Sequence, residues 1–339
     1  MKYAVLTGLL FALGAAAPAF ADCGQLAMIT SVAMHIGGDG RVYAPVKLNG
    51  VAKTMLIDTG GFFTEITPDT VAELKLATRH TGLEIIGVAG DTTSIAANAS
   101  FQLGNLTASS MDFMVMPDNH LLADDVSDAA GIIAPSLLRN YDVDFDFGAK
   151  KFNLLSQDHC EGKVVYWPAD AVAVVPMTIN ANGHIEFQVK LDDKPLTAIL
   201  DSGATNTVLN LEVAQDAFGI RAGDATTPEN GHLNGVDRAK TYTHRFKSLA
   251  LEGIAIGNPT LDLIPDLLRS KIHDPRDTVS GDTRIKNPSR KTTLDDMIVG
   301  MDILHRLHVY IAYKEKKLYI TPAAAPAPAA TATAQPVKP

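Results

Sequence analysis

The chain has 339 residues, of which 46% are hydrophobic, and a formal net charge of −9. Because no dense run of Lys and Arg interrupts this acidic balance, the composition excludes a surface built to follow a nucleic-acid backbone. The length is sufficient for one large domain or two of medium size.

The first 21 residues have the pattern of a secretory signal peptide. Lys2 precedes an apolar run from Val5 to Phe20, and small residues surround the end of that run at Ala21, as signal peptidase requires. We therefore expect residues 1–21 to be removed, leaving a periplasmic protein without a transmembrane span. The alternative is an uncleaved membrane anchor, for which the apolar run is short.

The chain contains two cysteines, Cys23 and Cys160. In an oxidising compartment they could pair and tie the N-terminus of the mature chain to the end of its first half. Two free thiols are the alternative. Their spacing fits neither a metal site nor a redox pair, and we expect no metal or other cofactor.

The body of the chain is an internal duplication. Val46 leads through an apolar strand to Asp58, and Val189 leads through another to Asp201, each over twelve residues and with an offset of 143. The same offset relates further pairs: Thr59 and Ser202, Gly60 and Gly203, and the predicted helix caps Thr67 and Asn210.

A second pair of segments matches with an offset of 166. Ile132-Ile133-Ala134 corresponds to Ile298-Val299-Gly300, and the strands that follow keep this offset. The difference of 23 residues indicates an insertion in the second half, which we place at about 265–296, a stretch rich in Pro, Asp and Arg. The duplicated unit accounts for nearly everything between residues 42 and 320.

Within each unit the pattern is one of short alternating strands separated by Gly and Asn turns. The sequence predicts an all-β protein with barrel-like lobes and a few short helices. The expected boundaries are a first lobe over 22–160, a linker over 161–173 and a second lobe over 174–321. Residues 322–339, rich in Ala and Pro, are expected to form a disordered tail or a spacer towards the cell envelope.

Each unit carries an Asp-Thr/Ser-Gly turn directly after an apolar strand. The glycine allows a tight turn and a close approach of the two backbones, and the hydroxyls of Thr59 and Ser202 can hydrogen-bond between the turns. If Asp58 and Asp201 lie within a few ångströms, they cannot both ionise, so that one acts as acid and the other as base. A single tripeptide of this kind is often only an Asp-capped β-turn. Two copies within one repeat predict a catalytic pair.

These turns, Asp58-Thr59-Gly60 and Asp201-Ser202-Gly203-Ala204, resemble the active-site turns of retropepsin-like and pepsin-like aspartic peptidases. The Ile-Ile-Ala and Ile-Val-Gly segments resemble the hydrophobic segments that lie behind those turns, and the loop lengths are closer to bacterial retropepsin-like members. The resemblance covers nearly the whole chain apart from the signal and the tail.

The resemblance implies two closed β-barrel lobes of a single monomeric chain, related by a pseudo-two-fold axis. The cleft between them would bind an extended peptide of a periplasmic or exported protein, and a water activated by the two aspartates would cleave it without a metal. It also implies a flap over the substrate, for which the candidates are Gly87, Val88, Ala89 and Gly90. The alternative is that residues 87–90 form an ordinary hairpin. Residues 233–235 are a candidate for the equivalent of the flap in the second lobe, with a looser alignment.

Three departures from the family pattern accompany the first turn. Gly61 stands where Ala or Ser is usual, Phe62-Phe63 is bulky and could form a cleft wall, and Ala134 replaces a glycine. They leave open a weak or inactive peptide-binding module. A hydrolase of another small substrate in the same cleft is a further alternative.

Two other patterns are interpreted as structural. Asp142, Asp144 and Asp146 have the opening spacing of a calcium loop but lack its glycine and closing Glu, so we predict an alternating strand. His305 and His308 lack a zinc-protease pattern and are predicted to be surface or packing residues.

Overall fold

The structure is a computed structural model that describes residues 23–86, 92–117, 122–123, 125–126, 128–180, 183–232, 240–265 and 295–324. The predicted signal peptide, the flap candidates 87–90, the segment 233–235 and most of the predicted insertion and tail lie outside the described residues. Within the described residues, no helix has the length and apolar character needed to cross a membrane.

The first half of the chain contains eleven strands and two helices in its described part. They are β1 (Met28–Ala33), β2 (His35–Ile36), β3 (Val42–Leu48), β4 (Val51–Ile57), β5 (Glu65–Ile66), α1 (Pro68–Glu73), β6 (Ala77–Ile86), β7 (Thr92–Leu103), β8 (Leu106–Val115), β9 (Ala129–Ile133), α2 (Pro135–Leu138), β10 (Asp142–Asp146) and β11 (Lys151–Leu155).

The described part of the second half repeats this order. Its elements are β12 (Ala173–Ile179), β13 (Ile185–Leu191), β14 (Lys194–Leu200), β15 (Val208–Asn210), α3 (Leu211–Phe218), β16 (Glu229–His232), β17 (Lys240–Arg245), β18 (Ser248–Leu251), β19 (Ile254–Gly257), β20 (Thr260–Ile264), β21 (Met297–Val299), α4 (Met301–Leu304), β22 (Leu307–Ala312) and β23 (Lys317–Pro322).

Helix boundaries follow the predicted caps. The side chain of Thr67 accepts a hydrogen bond from the Thr70 amide at the start of α1, and Asn210 does the same for Glu212 in α3. Gly219 ends α3 in the left-handed conformation with φ of 68°, which a residue with a side chain adopts only at a cost.

The first half of the chain, called lobe 1 below, contains a closed barrel of six strands, and the second half is called lobe 2. The strands pair in the order β3-β4-β9-β5-β8-β7, and pairing of Leu48 with Phe101 closes β7 back onto β3. Alternate residues of each strand point into the barrel, and its core contains Leu48, Met55, Ile57, Ile66, Phe113 and Ile133.

Lobe 2 forms the same ring with two interruptions. A break separates β17 from β18, and a second break separates β19 from β20. At these breaks the Phe246 amide donates to the Pro259 carbonyl at 2.9 Å, and the Asn258 amide donates to the Lys247 carbonyl at 2.8 Å. Because β18 also pairs with β13, the ring stays closed. The prediction of two closed β-barrel lobes is therefore confirmed.

A six-stranded sheet joins the lobes in the order β1-β11-β10-β22-β23-β12. At the centre of this sheet Asp144 pairs with Tyr310. The 166-residue offset makes these two positions equivalent, so the pseudo-two-fold axis passes between them. The amides of Met34 and Met177 donate to the carbonyls of Lys150 and Lys316, both at 2.9 Å. The repeat thus includes β1 and begins before residue 42, where the sequence comparison had started it.

The acidic residues of β10 are covered by the segment that links the lobes, residues 161–173, whose Tyr166 hydroxyl donates to Asp144. Asp142 and Asp144 are fully buried, and His159 Nε2 and His308 Nε2 each lie 2.6 Å from one of these carboxylates. Trp167 of the linking segment stacks on His308 with ring centroids 4.0 Å apart. Residues 142–146 form a strand as predicted, but it does not alternate between buried and exposed residues, because residues 142–145 are all buried. His308 is a packing residue. Cys23 and Cys160, at the edge of this region, form a disulfide.

Candidate active site

The structure brings the two predicted aspartates together at the ends of equivalent strands. Asp58 follows β4 and its amide donates to the Ile133 carbonyl at 2.9 Å, while Asp201 follows β14 and its amide donates to the Val299 carbonyl at 3.1 Å. Each carboxyl group lies against the glycine of the opposite turn, and the two are close enough for each to shift the pKa of the other. The apolar segments behind the turns therefore anchor each aspartate by one main-chain bond.

Four hydrogen bonds connect the two turns across the pseudo-two-fold axis. The Thr59 and Ser202 amides each donate to the hydroxyl of the other residue, at 3.1 and 3.0 Å. The Thr59 hydroxyl donates to the Leu200 carbonyl at 2.8 Å, and the Ser202 hydroxyl donates to the Ile57 carbonyl at 2.7 Å. Both side chains are almost completely buried, so each hydroxyl satisfies two main-chain groups that water does not reach. The lobes are thereby held in register at the carboxylates.

The amides of each turn orient the carboxylate that precedes them. Those of Gly60 and Gly61 donate to Asp58 Oδ1 at 2.9 and 2.8 Å, and those of Gly203 and Ala204 donate to Asp201 Oδ1 at 2.7 and 3.1 Å. A Cβ atom on Gly60 would overlap the Asp201 carboxyl group, and one on Gly203 would overlap that of Asp58. Glycine at both positions is what allows the carboxyl groups to meet.

Burial and mutual repulsion leave the pair with a shared proton. The pKa of Asp201 is raised well above its usual range, first by burial and then by the charge of Asp58. Burial also raises the pKa of Asp58, but the hydrogen bond from Asp201 and those from the Gly60 and Gly61 amides oppose this rise. The two carboxyl groups therefore share one proton and titrate as one unit.

The family model described as aspartyl protease matches residues 44–133 and 187–303, more than half of the chain. This chain belongs to the aspartyl protease family. The first match runs from β3 to the end of β9, and the second runs from β13 into α4, so that each covers one barrel with its aspartate turn. Among solved structures, basic 7S globulin from soybean matches with a TM-score of 0.47 and 10% identity, over 89% of this chain and 95% of that one. No curated protein matches the chain.

Two of the departures from the family pattern compensate each other. A Cβ on Gly61 would lie 3.2 Å from the Cβ of Ala134 and 3.0 Å from Asp58 Oδ2. Ala134 is fully buried and occupies the space that a side chain at position 61 would need. Lobe 2 has the opposite arrangement, with Ala204 in the turn and Gly300 behind it. Ala134 therefore fills the space behind the Asp58 turn rather than loosening the packing there.

The lobes also differ in one main-chain bond behind the turn. The Met301 amide donates to the Ala204 carbonyl at 2.9 Å, but its equivalent, Pro135, has no amide hydrogen. The ring of His184 from lobe 2 lies near the Asp58 turn; burial lowers the pKa of this histidine, and the charge of Asp58 opposes that shift. His184 is a site residue that the sequence analysis missed.

Ser136 and Asp302 support the two turns from behind. The Ser136 hydroxyl accepts from the Thr64 amide at 2.8 Å, and Asp302 Oδ1 accepts from the Thr207 amide at 2.8 Å. The hydroxyls of Thr64 and Thr207 in turn accept from the amides of Ala134 and Gly300. Ser136 and Asp302 are equivalent under the 166-residue offset, and this spacing was the signal that could have revealed them.

Beside the Asp58 turn, Phe62 is 46% exposed and its ring packs edge-on against Phe63 with centroids 4.4 Å apart. An exposed ring at this position is compatible with the predicted cleft wall. The flap candidates lie outside the described residues, so the flap stays a prediction.

Proposed function

We propose that this protein is an aspartic endopeptidase that hydrolyses peptide bonds of periplasmic or exported proteins. The observation that carries the proposal is the close approach of the Asp58 and Asp201 carboxyl groups, each against the glycine of the opposite turn, held by the Thr59–Ser202 bonds between the lobes. Family membership supports the same chemistry. The secretory pattern of residues 1–21 supports the compartment, and localisation can be measured by fractionation of cells expressing the full chain.

The mechanism follows from the single proton that the two carboxyl groups share. A water molecule placed between them loses a proton to the ionised carboxylate as its oxygen attacks the scissile carbonyl carbon. The protonated carboxyl group donates its proton to the developing oxyanion, which becomes a hydroxyl. The tetrahedral intermediate then collapses: a hydroxyl returns its proton to the second carboxyl group, the C–N bond breaks, and the leaving amine takes up the proton held by the first. The pair returns to a single shared proton without a covalent intermediate.

The experiment that tests this proposal compares four proteins on an unfolded protein substrate between pH 3 and pH 8. Wild type and the control Asp216→Asn, an exposed acid on α3, are expected to cut at the same rate. Asp58→Asn and Asp201→Asn are each expected to lose at least about a thousandfold in kcat/KM, because each removes half of the acid–base pair. Undiminished cleavage by either variant would refute the assignment of the pair.

The same samples distinguish the binding-module alternative. That alternative was based on Gly61 and Ala134 as departures from the family pattern. In the structure the methyl group of Ala134 occupies the space that a side chain at position 61 would need. If wild type cuts no substrate at any pH but retains peptide in a binding assay, the chain is a peptide-binding module and the catalytic proposal fails.

A further inference from the structure

A row of side chains leads away from the catalytic aspartate of lobe 1. Strand residues two apart share a face, so Leu56 lies on the same face as Asp58, opposite the barrel core that contains Met55 and Ile57. Direct cross-strand pairs extend this face across β3, β4, β9, β5, β8 and β7. In that order the row is Tyr43, Leu56, Ile132, Glu65, Met114 and Ala96.

Glu65 is the one ionisable carboxylate in this row. Its neighbour Ile66 lies in the barrel core, so the Glu65 side chain points to the face shared with Asp58. The carboxylate is close enough to Asp58 for the negative charge of Asp58 to raise the pKa of Glu65, after the larger effect of burial. It is part-buried, and it has no hydrogen-bond or ion-pair partner among the described residues. A part-buried carboxylate without a partner is costly, which indicates that a ligand group supplies the missing contact.

The equivalent position in lobe 2 lacks this carboxylate. The 143-residue offset places Val208 there, and Val208 pairs with Ile298 just as Glu65 pairs with Ile132. The two lobes would therefore present different chemistry to the two sides of a peptide that passes between them. Any preference due to Glu65 must act on one side of the scissile bond only.

We propose that Glu65 forms a subsite on the lobe 1 side of the aspartate pair and selects a cationic side chain, lysine or arginine, in the peptide substrate. This inference rests on the proposed function and specifies its substrate class. A charged nitrogen at Glu65 would make a charge-assisted hydrogen bond in a part-buried place, and it would also offset the repulsion between Glu65 and Asp58. Burial and the Asp58 charge raise the pKa of Glu65 to about 7, and a bound cation favours the ionised form.

The test uses pairs of extended peptides that differ at one position, lysine against norleucine, which has similar length and no charge. The position is scanned on both sides of the scissile bond, and kcat/KM is measured for each pair. Wild type is expected to prefer lysine at least tenfold at one position on one side. Glu65→Gln should lower kcat/KM for the lysine peptide by about ten- to hundredfold and leave the norleucine peptide within about threefold. Glu65→Val, which copies lobe 2, should do the same.

Glu186→Gln is the matched control, because Glu186 is an acid at the end of the equivalent row in lobe 2, where it pairs with Ile199. The control should keep the lysine preference. Equal rates for both peptides in wild type, or a lysine preference that survives both Glu65 variants, would overturn the subsite while leaving peptidase activity established. A loss of preference in Glu186→Gln as large as in Glu65→Gln would also overturn it, since the effect would then be one of overall charge.

Failure of the proposed function has a different signature. If wild type cuts none of the peptides, the same pairs are titrated by fluorescence anisotropy. Tighter binding of the lysine peptide that disappears in Glu65→Gln would support the subsite without catalysis. Equal binding of both peptides by wild type would overturn it.

Discussion

Replacing Gly61 with alanine tests how the first aspartate is supported. The new Cβ would lie 3.2 Å from that of Ala134 and 3.0 Å from Asp58 Oδ2, closer than carbon atoms normally pack, and overpacking of this kind costs about 1–3 kcal/mol. Ala134→Gly removes a buried methyl group and gains backbone freedom, which together cost about 1–2 kcal/mol. The double variant reproduces the arrangement of lobe 2. We therefore expect it to lie within about 1 kcal/mol of wild type, with a favourable coupling of at least about 1 kcal/mol.

The assay is urea unfolding of wild type, both single variants and the double variant, together with their kcat/KM on one peptide. Lobe 2 provides the control. A Cβ on Gly300 would meet the Asn206 carbonyl oxygen at 2.5 Å and the Ala204 carbonyl oxygen at 2.9 Å. The control pair is Gly300→Ala with Ala204→Gly. Because the overlap involves main-chain atoms, Ala204→Gly cannot relieve it. The effects of these two substitutions on the free energy of unfolding should therefore be additive within about 0.5 kcal/mol. Additive effects of the lobe 1 pair would refute the compensation.

Three further outcomes follow from the structure. Thr59→Val should lower the free energy of unfolding by about 2–4 kcal/mol, because it leaves the buried Leu200 carbonyl without its hydroxyl donor. Thr59→Ser keeps this donor and should lose much less stability in the same urea titration. Equal losses in the two variants would contradict the role of the hydroxyl. Since folding raises the pKa of Glu65 from 4.5 to about 7, wild type should lose stability as pH rises through this window. The free energy of unfolding of Glu65→Gln should then match that of wild type near pH 4 and exceed it by up to about 3 kcal/mol at pH 8 in urea titrations. A difference between the two proteins that does not change with pH would contradict the raised pKa of Glu65. Replacing Cys23 and Cys160 by serine opens a loop of 137 residues and should lower the free energy of unfolding by about 4–5 kcal/mol relative to oxidised wild type, by chain entropy. Reduced wild type should be destabilised equally, and unequal losses would contradict this cause.

Much of the site could be predicted because the chain is duplicated. Asp58 and Asp201 were identified from residue types and one constant offset, and the same repeat predicted both barrels and the helix caps Thr67 and Asn210. Such features depend on local pattern. A glycine after each aspartate is required by backbone approach, and that requirement is visible in the sequence.

Other features depend on distances that no single sequence contains. The compensation between Gly61 and Ala134 arises because residues 73 positions apart place two Cβ atoms in one space, so the sequence showed two separate departures. His184 reaches the Asp58 turn from the opposite lobe. The significance of Glu65 emerged only when strand pairing placed it on the face of Asp58. The interruptions in the lobe 2 ring, near Phe246 and Pro259, were hidden because main-chain bonds across them depend on tertiary position.

The most direct test of the central claim is a titration of the protein with a statine-type peptide, which mimics the tetrahedral intermediate of peptide hydrolysis. If Asp58 and Asp201 of one chain form a single shared site, one equivalent of inhibitor per chain should abolish hydrolysis. Both Asp→Asn variants should then bind the inhibitor at least about a hundredfold more weakly. Continued hydrolysis by the saturated enzyme, or unchanged binding by either variant, would contradict the account.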